Sequence, residues 1–238
     1  MYKRQISSSS IGYEHRKLLH VNTTIDDWDS SGHADYRHGT HTAGILGCHP
    51  VDTATGNVAP SAMMALGYDT RLVVQDIVSD DGWVPPDVDL LLAESAMYGG
   101  FIHSNSWGDD TTDYTLRSGD FDAFTREFPW TLPLIAPGNN GERVLEPANA
   151  RNVVAVGAST KDDVTERWVG SVHGPTDSDT RGIFALAPGA SIVSARSDGM
   201  PDSYNSGQHT LSGTSMSTPM AASCLLYTSD AADDQCCG

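Results

Sequence analysis

Lysine is nearly missing from this chain: 3 Lys and 11 Arg stand against 25 Asp and 6 Glu, giving a formal net charge of −17 over 238 residues. A chain so poor in cations has little with which to neutralise phosphates, which excludes nucleic acid as a partner. The same deficit argues against docking on an anionic membrane surface. Long apolar runs are missing too. No stretch approaches the uninterrupted apolar length of a membrane-spanning helix, so none is expected. The basic start Met1–Gln5 is not followed by an apolar run and does not read as a secretory signal. Cysteine is scarce and poorly spread: Cys224, Cys236 and Cys237 crowd the end and Cys48 stands alone. That distribution excludes a disulfide framework, and Cys48 is expected to pack as a small hydrophobe.

What remains is the composition of a globular protein, 39% hydrophobic and 19% charged, long enough for one domain with a sizeable core. Residues 1–36 are polar, acidic and aperiodic. The small-residue segment 38–48 suits a closely packed helix. Arg71–Val78, Phe101–Trp107, Leu132–Ala136 and Asn152–Ala158 read as buried strands. Between them, Pro85–Pro86–Asp87 opens a helix whose apolar positions Val88, Leu91, Leu92 and Ala96 share one face. Phe121, Phe124 and Phe128 mark a second helical face. After Ala158 a loop-rich stretch is expected to run to Ser197. Thr214–Leu226 reads as a last helix with Pro219 in its first turn. Strands that are continuous apolar runs, alternating with helices, predict an α/β fold: a mostly parallel central sheet with helices on both faces. No linker divides the chain.

Three Gly-bounded strings carry reactive side chains: His38-Gly39-Thr40-His41-Thr42-Ala43-Gly44, Pro137-Gly138-Asn139-Asn140-Gly141, and Ser212-Gly213-Thr214-Ser215-Met216-Ser217-Thr218-Pro219. Ser215 falls at a helix start, where free N–H groups favour a developing anion. A serine needs a base to become nucleophilic, and histidine titrates near neutrality. Taken singly, a serine at a helix start is commonly a cap, a lone histidine commonly structural, and an asparagine after glycine commonly a turn residue. His38 and His41 with Asp35 could also be read as metal ligands, but no further ligand cluster supports that, and no metal is assigned.

Together and in this order, the three strings resemble the subtilase family of serine peptidases, over about residues 35–222. The resemblance is to its bacterial alkaline-protease branch, which Leu72–Ile77, Ile102–Gly108 and Ile192–Ser197 also resemble. It implies a subtilisin-like fold and peptide hydrolysis through an acyl-enzyme. It implies that His38 is the general base, Ser215 the nucleophile, and Asn139 the side-chain donor of the oxyanion hole, acting beside the Ser215 N–H. His41 then packs or hydrogen-bonds inside the helix. Ser106, Trp107 and Gly108 correspond to the strand that pairs with an extended peptide substrate. Ala136, Pro137 and Gly138 would wall a pocket with room for an apolar or aromatic side chain.

One departure matters. The family's catalytic Asp, followed by Ser or Thr and then Gly, lies about thirty to forty residues before the histidine. No such string occurs in residues 1–37. Asp29-Ser30-Ser31-Gly32 comes closest and reads as a loop. Asp26, Asp27 and Asp35 follow no apolar strand. The expectation is a peptidase domain over 6–223, incomplete at both edges and lacking that Asp, with 1–5 and 225–238 as non-native tips. Losing the Asp's hold on the histidine costs about 10⁴ in rate. The rival expectation is a pseudopeptidase that binds peptides without cleaving them. No cofactor is required. A structural calcium ion is conceivable at Asp109-Asp110-Thr111-Thr112-Asp113. The expected partners are polypeptide substrates met by a monomer, and the family resemblance alone implies secretion to the extracellular space.

Overall fold

A computed structural model describes residues 18–22, 38–48, 64–68, 70–75, 77–79, 82–83, 87–197 and 207–235. Asp26, Asp27, Asp29, Asp35, Pro85 and Pro86, and the first tip, lie outside them. The contacts gather into two compact units. One runs up to Pro86 and adds Val193–His209 and the chain from Ser223; the other comprises Asp87–Ile192 and Thr210–Ala222. Each unit is assembled from separated segments, which explains why no single linker in the sequence marks a boundary.

In the first unit, β1 (Leu18–Asn22) pairs in parallel with β2 (Leu72–Gln75), Leu18 facing Leu72 and Asn22 facing Gln75. β1 lies inside the stretch read as aperiodic. Short antiparallel β3 (Val78–Ser79) and β4 (Gly82–Trp83) follow. The first helix, α1 (His38–Gly47), is buried along almost its whole length. Its glycines permit this: a Cβ on Gly44 would lie 2.4 Å from the Ser194 hydroxyl. That hydroxyl instead donates to the His41 carbonyl at 2.9 Å. His41 is fully buried, and its Nε2 meets the His209 carbonyl at 3.0 Å, a partner outside α1 where one inside the helix is expected.

The second unit holds a four-stranded sheet in the order β5 (Ile102–Asn105), β6 (Leu132–Ile135), β7 (Val154–Ser159), β8 (Ala185–Pro188). Every pairing is parallel. α2 (Val88–Met97) precedes β5, and α3 (Leu116–Glu127) connects β5 to β6. α2 starts where the sequence places it, because the Asp87 carboxylate accepts from Leu90 N at 3.0 Å. Val88, Leu92, Phe121, Phe124, Ile135, Val144, Val153, Ala155 and Val172 form one core cluster. Burying each large side chain there contributes roughly 1.5–3 kcal/mol. This α/β architecture of parallel strands and helices is the predicted one.

Three expectations are corrected. The stretch read as loop-rich up to Ser197 contains β8 and β9 (Ile192–Ala195), the latter paired with β10 (Gln208–Leu211). The last helix, α4, runs Thr214–Gln235, past Leu226, carried by helix-forming alanines rather than by an apolar period. Pro219 therefore sits a full turn inside α4, not in its first turn.

Candidate active site

The site grows from the carboxyl ends of β5 and β6, the usual place for ligands in an open parallel sheet. Beyond Asn105 the chain continues as Ser106-Trp107-Gly108, and beyond Ile135 as Ala136-Pro137-Gly138-Asn139. The two tails stay together through Ala136 N, which donates to the Asn105 carbonyl at 3.0 Å. Asn105 is fully buried and serves as a bracket. Its Nδ2 reaches the His103 and Leu134 carbonyls at 3.2 and 3.3 Å, and its Oδ1 accepts from Trp107 Nε1 at 3.1 Å. Trp107 leans on Phe121, centroids 6.1 Å apart, with the Arg117 guanidinium 6.0 Å from its ring centre.

Gly138 has φ +116°, a left-handed conformation that side chains resist, and a Cβ there would lie 2.8 Å from the Leu145 Cδ1. Its carbonyl accepts from Val172 N at 3.2 Å and from Thr214 Oγ1 at 3.2 Å. Asn139 follows. Its Oδ1 accepts from Thr214 N at 2.8 Å and Thr214 Oγ1 at 3.1 Å. Because a backbone N–H can only donate, the atom facing it must be the amide oxygen, and Nδ2 is left as a donor on the other side. Asn139 thus caps α4 from a distance, satisfying one of the orphan donors at that end.

Ser215 is the second residue of α4, its side chain on the wall of an open cavity of about 200 Å³. The cavity is lined by Ser106, Trp107, Gly108, Asp109, Asp110, Ala136, Gly138, Asn139, Leu145, Thr214 and Ser215. So the second unit brings together Ser215, Asn139 and every expected peptide-facing residue except Pro137. Pro137 is buried between its neighbours without lining the cavity, its carbonyl accepting from Leu145 N at 3.1 Å. His38 opens α1 in the first unit.

Pro219 leaves a mark here. It has no N–H to give the carbonyl four residues back, which is that of Ser215. The Ser106 hydroxyl fills the gap, donating to the Ser215 carbonyl at 2.8 Å. The strand tail and the serine-bearing turn are thereby tied directly. Sequence reasoning listed both Ser106 and Pro219 but missed their link. The signal was available in the position of a proline inside a helix, counted back one turn.

Glu146, only 3% exposed, was also missed. Its carbonyl accepts from Asp109 N at 3.0 Å, and its Oε1 takes Ser118 N at 3.2 Å and the Thr115 hydroxyl. A carboxylate at the first turn of α3 complements the helix dipole, so one residue fixes both the loop after Gly108 and the start of the helix. Asn149 helps, its Nδ2 reaching the Thr112 and Asp113 carbonyls at 3.0 and 2.9 Å. In the loop after Gly108, Asp109 pairs with Arg117, and Thr112 Oγ1 donates to Asp177 at 2.8 Å. Among the described residues no group of three or more His, Cys, Asp or Glu side chains is placed to hold a metal ion. No described helix is long and apolar enough to cross a membrane.

A sequence profile described as the Subtilase family matches residues 13–234. A subtilisin-like protease of Coccidioides posadasii is 29% identical over 88% of this chain and 46% of its own length. The serine protease AprX of Bacillus subtilis is 27% identical over 85% of this chain and 49% of its own. The serine protease/ABC transporter B family protein tagD of Dictyostelium discoideum is 30% identical over 64% of this chain but only 9% of its own length. The chain thus spans less than half of these relatives. Among solved structures, the protease domain of PatA superposes with a TM-score of 0.70 at 24% identity, covering 90% of this chain and 72% of that one. Sphericase gives 0.67 at 22%, covering 94% and 73%. The fold of the second unit, the order of the three motifs and a profile match over nearly the whole chain agree: the protein belongs to the subtilase family.

Proposed function

We propose that the protein is a serine endopeptidase in which Ser215 attacks the peptide carbonyl and His38 takes its proton. The amine leaves with that proton, and water then releases the acyl group from Ser215 as the acid product. Asn139 Nδ2 and the Ser215 N–H receive the oxyanion. The substrate lies extended along Ser106-Trp107-Gly108 and projects one side chain into the cavity between Trp107 and Ala136–Gly138. It acts as a monomer on polypeptides outside the cell. The observation that carries this reading is the Asn139 amide, whose oxygen is held by Thr214 so that its donor is left over beside Ser215.

A fluorophosphonate probe tests it on the full chain. Labelling should occur at Ser215, vanish in Ser215→Ala, and slow about 10²–10³-fold in Asn139→Ala. The missing Asp-Ser/Thr-Gly string in residues 1–37 favours a second reading, a peptide-binding domain without turnover. A folded chain that binds peptides but takes no label would establish that alternative. Labelling that survives Ser215→Ala would move the nucleophile elsewhere.

A further inference from the structure

The cavity beside Ser215 carries a charge that peptide-bond chemistry does not use. Two of its lining residues, Asp109 and Asp110, are acidic, and none is cationic. Asp109 is matched, its carboxylate ion-paired with Arg117, and both side chains are largely covered. The Arg117 guanidinium also lies against the Trp107 ring, so it is engaged on two sides. Asp110 is different. It is exposed, and among the described residues its carboxylate has neither an ion pair nor a hydrogen bond. The cavity therefore holds one unmatched negative charge.

We infer that Asp110 makes the cavity selective for a cationic peptide side chain, Lys or Arg, over a neutral one of the same shape. The inference rests on the reading of this cavity as the substrate site. Ala136, Gly138 and Leu145 supply an apolar wall for the aliphatic stem. Lys and Arg routinely lay their methylenes on such a surface while the charged head reaches a polar rim. Gly138 keeps that wall open, since any larger residue would occupy the space against Leu145. The Trp107 face is taken by Arg117, which leaves the Asp110 carboxylate as the seat for the head group. An acidic side chain would meet a like charge there, on a chain whose net charge is already −17. A purely apolar or aromatic group fits the wall but gains nothing from Asp110.

The test uses the full chain and two peptide aldehydes that differ only in their terminal residue, lysinal or its uncharged analogue norleucinal, which lacks the terminal ammonium, with binding measured by calorimetry. Lysinal should bind about three- to fivefold more tightly at low salt, the size of a solvent-exposed ion pair. The ratio should fall toward one at high salt and in Asp110→Asn, with norleucinal affinity unchanged. Norleucinal binding as tightly as lysinal would overturn the inference. So would a preference that survives in Asp110→Asn, or no saturable binding of either aldehyde. Ser215→Ala separates the two readings. If it leaves both affinities intact, Ser215 is not the nucleophile, while the lysinal-to-norleucinal ratio still judges Asp110.

Discussion

Replacing Ser106 with alanine should unsettle the serine-bearing helix, and replacing Pro219 as well should largely undo the damage. In the wild-type chain the Ser215 carbonyl accepts the Ser106 hydroxyl at 2.8 Å because Pro219 has no N–H to offer it. Ser106→Ala strands that carbonyl in a partly buried position. An unsatisfied buried acceptor costs about 1–3 kcal/mol, and partial solvent access puts this one near the lower end, ~1–2 kcal/mol. Pro219→Ala restores the i→i−4 donor. In that background the carbonyl keeps a partner when Ser106 is lost, so Ser106→Ala should cost only a few tenths of a kcal/mol. Pro219→Ala alone has competing terms, a gain in helix propensity against lost packing and a freer unfolded chain, so its own sign decides nothing. The coupling between the two substitutions decides. Urea unfolding of wild type, both single variants and the double variant, followed by tryptophan fluorescence, should give a coupling of about 1 kcal/mol. Additivity within about 0.3–0.5 kcal/mol would refute the account, because independent sites add to that tolerance.

Two further predictions concern the same walls. Gly138→Ala must hold φ near +116° and push its Cβ against Leu145, so it should lower stability by about 1–3 kcal/mol and slow fluorophosphonate labelling by displacing the neighbouring Asn139; unchanged melting and labelling would contradict the geometry. His103, on β5, is held by burial at a pKa of about 4, against which its hydrogen bond with Asn105 is the smaller influence. The unfolded chain protonates this histidine near 6.5, before the folded one does. The resulting stability is complete above about pH 6.5 and is lost as pH falls toward 4, by at most ~3 kcal/mol. His103→Gln should flatten unfolding free energy across that window, and an unaltered pH profile would count against the assignment.

The fold was legible where local sequence signals agree with the packing. α2 was legible because cap and face agree: Asp87 caps Leu90 N, and Val88, Leu91 and Leu92 are buried. α1 was legible because its small residues are those a buried helix requires. β8 was not. Its Ala185-Leu186-Ala187-Pro188 has no strand pattern of its own and becomes a strand through pairing with Val156–Ser159 of β7. β9 includes serine and alanine positions buried by tertiary packing, which no local periodicity announces. Within the site, residue types were readable from the motifs, but the Ser106–Ser215 tie and the Glu146 clamp depend on contacts between segments far apart in the chain.

The cap on α4 has one more consequence. An asparagine amide is nearly symmetric in shape but opposite in polarity at its two ends, so a half-turn about its last bond would swap donor for acceptor. Thr214 forbids that half-turn, since its N–H would then face another donor. The first turn of α4 therefore acts as a latch on the sign of the neighbouring side chain. Should that turn fray on warming, Asn139 would be free to present oxygen where nitrogen had been, and under the proposed mechanism attraction for an oxyanion would become repulsion. The proposed activity would then fade with the loosening of a single helical turn, before the sheet itself unfolds.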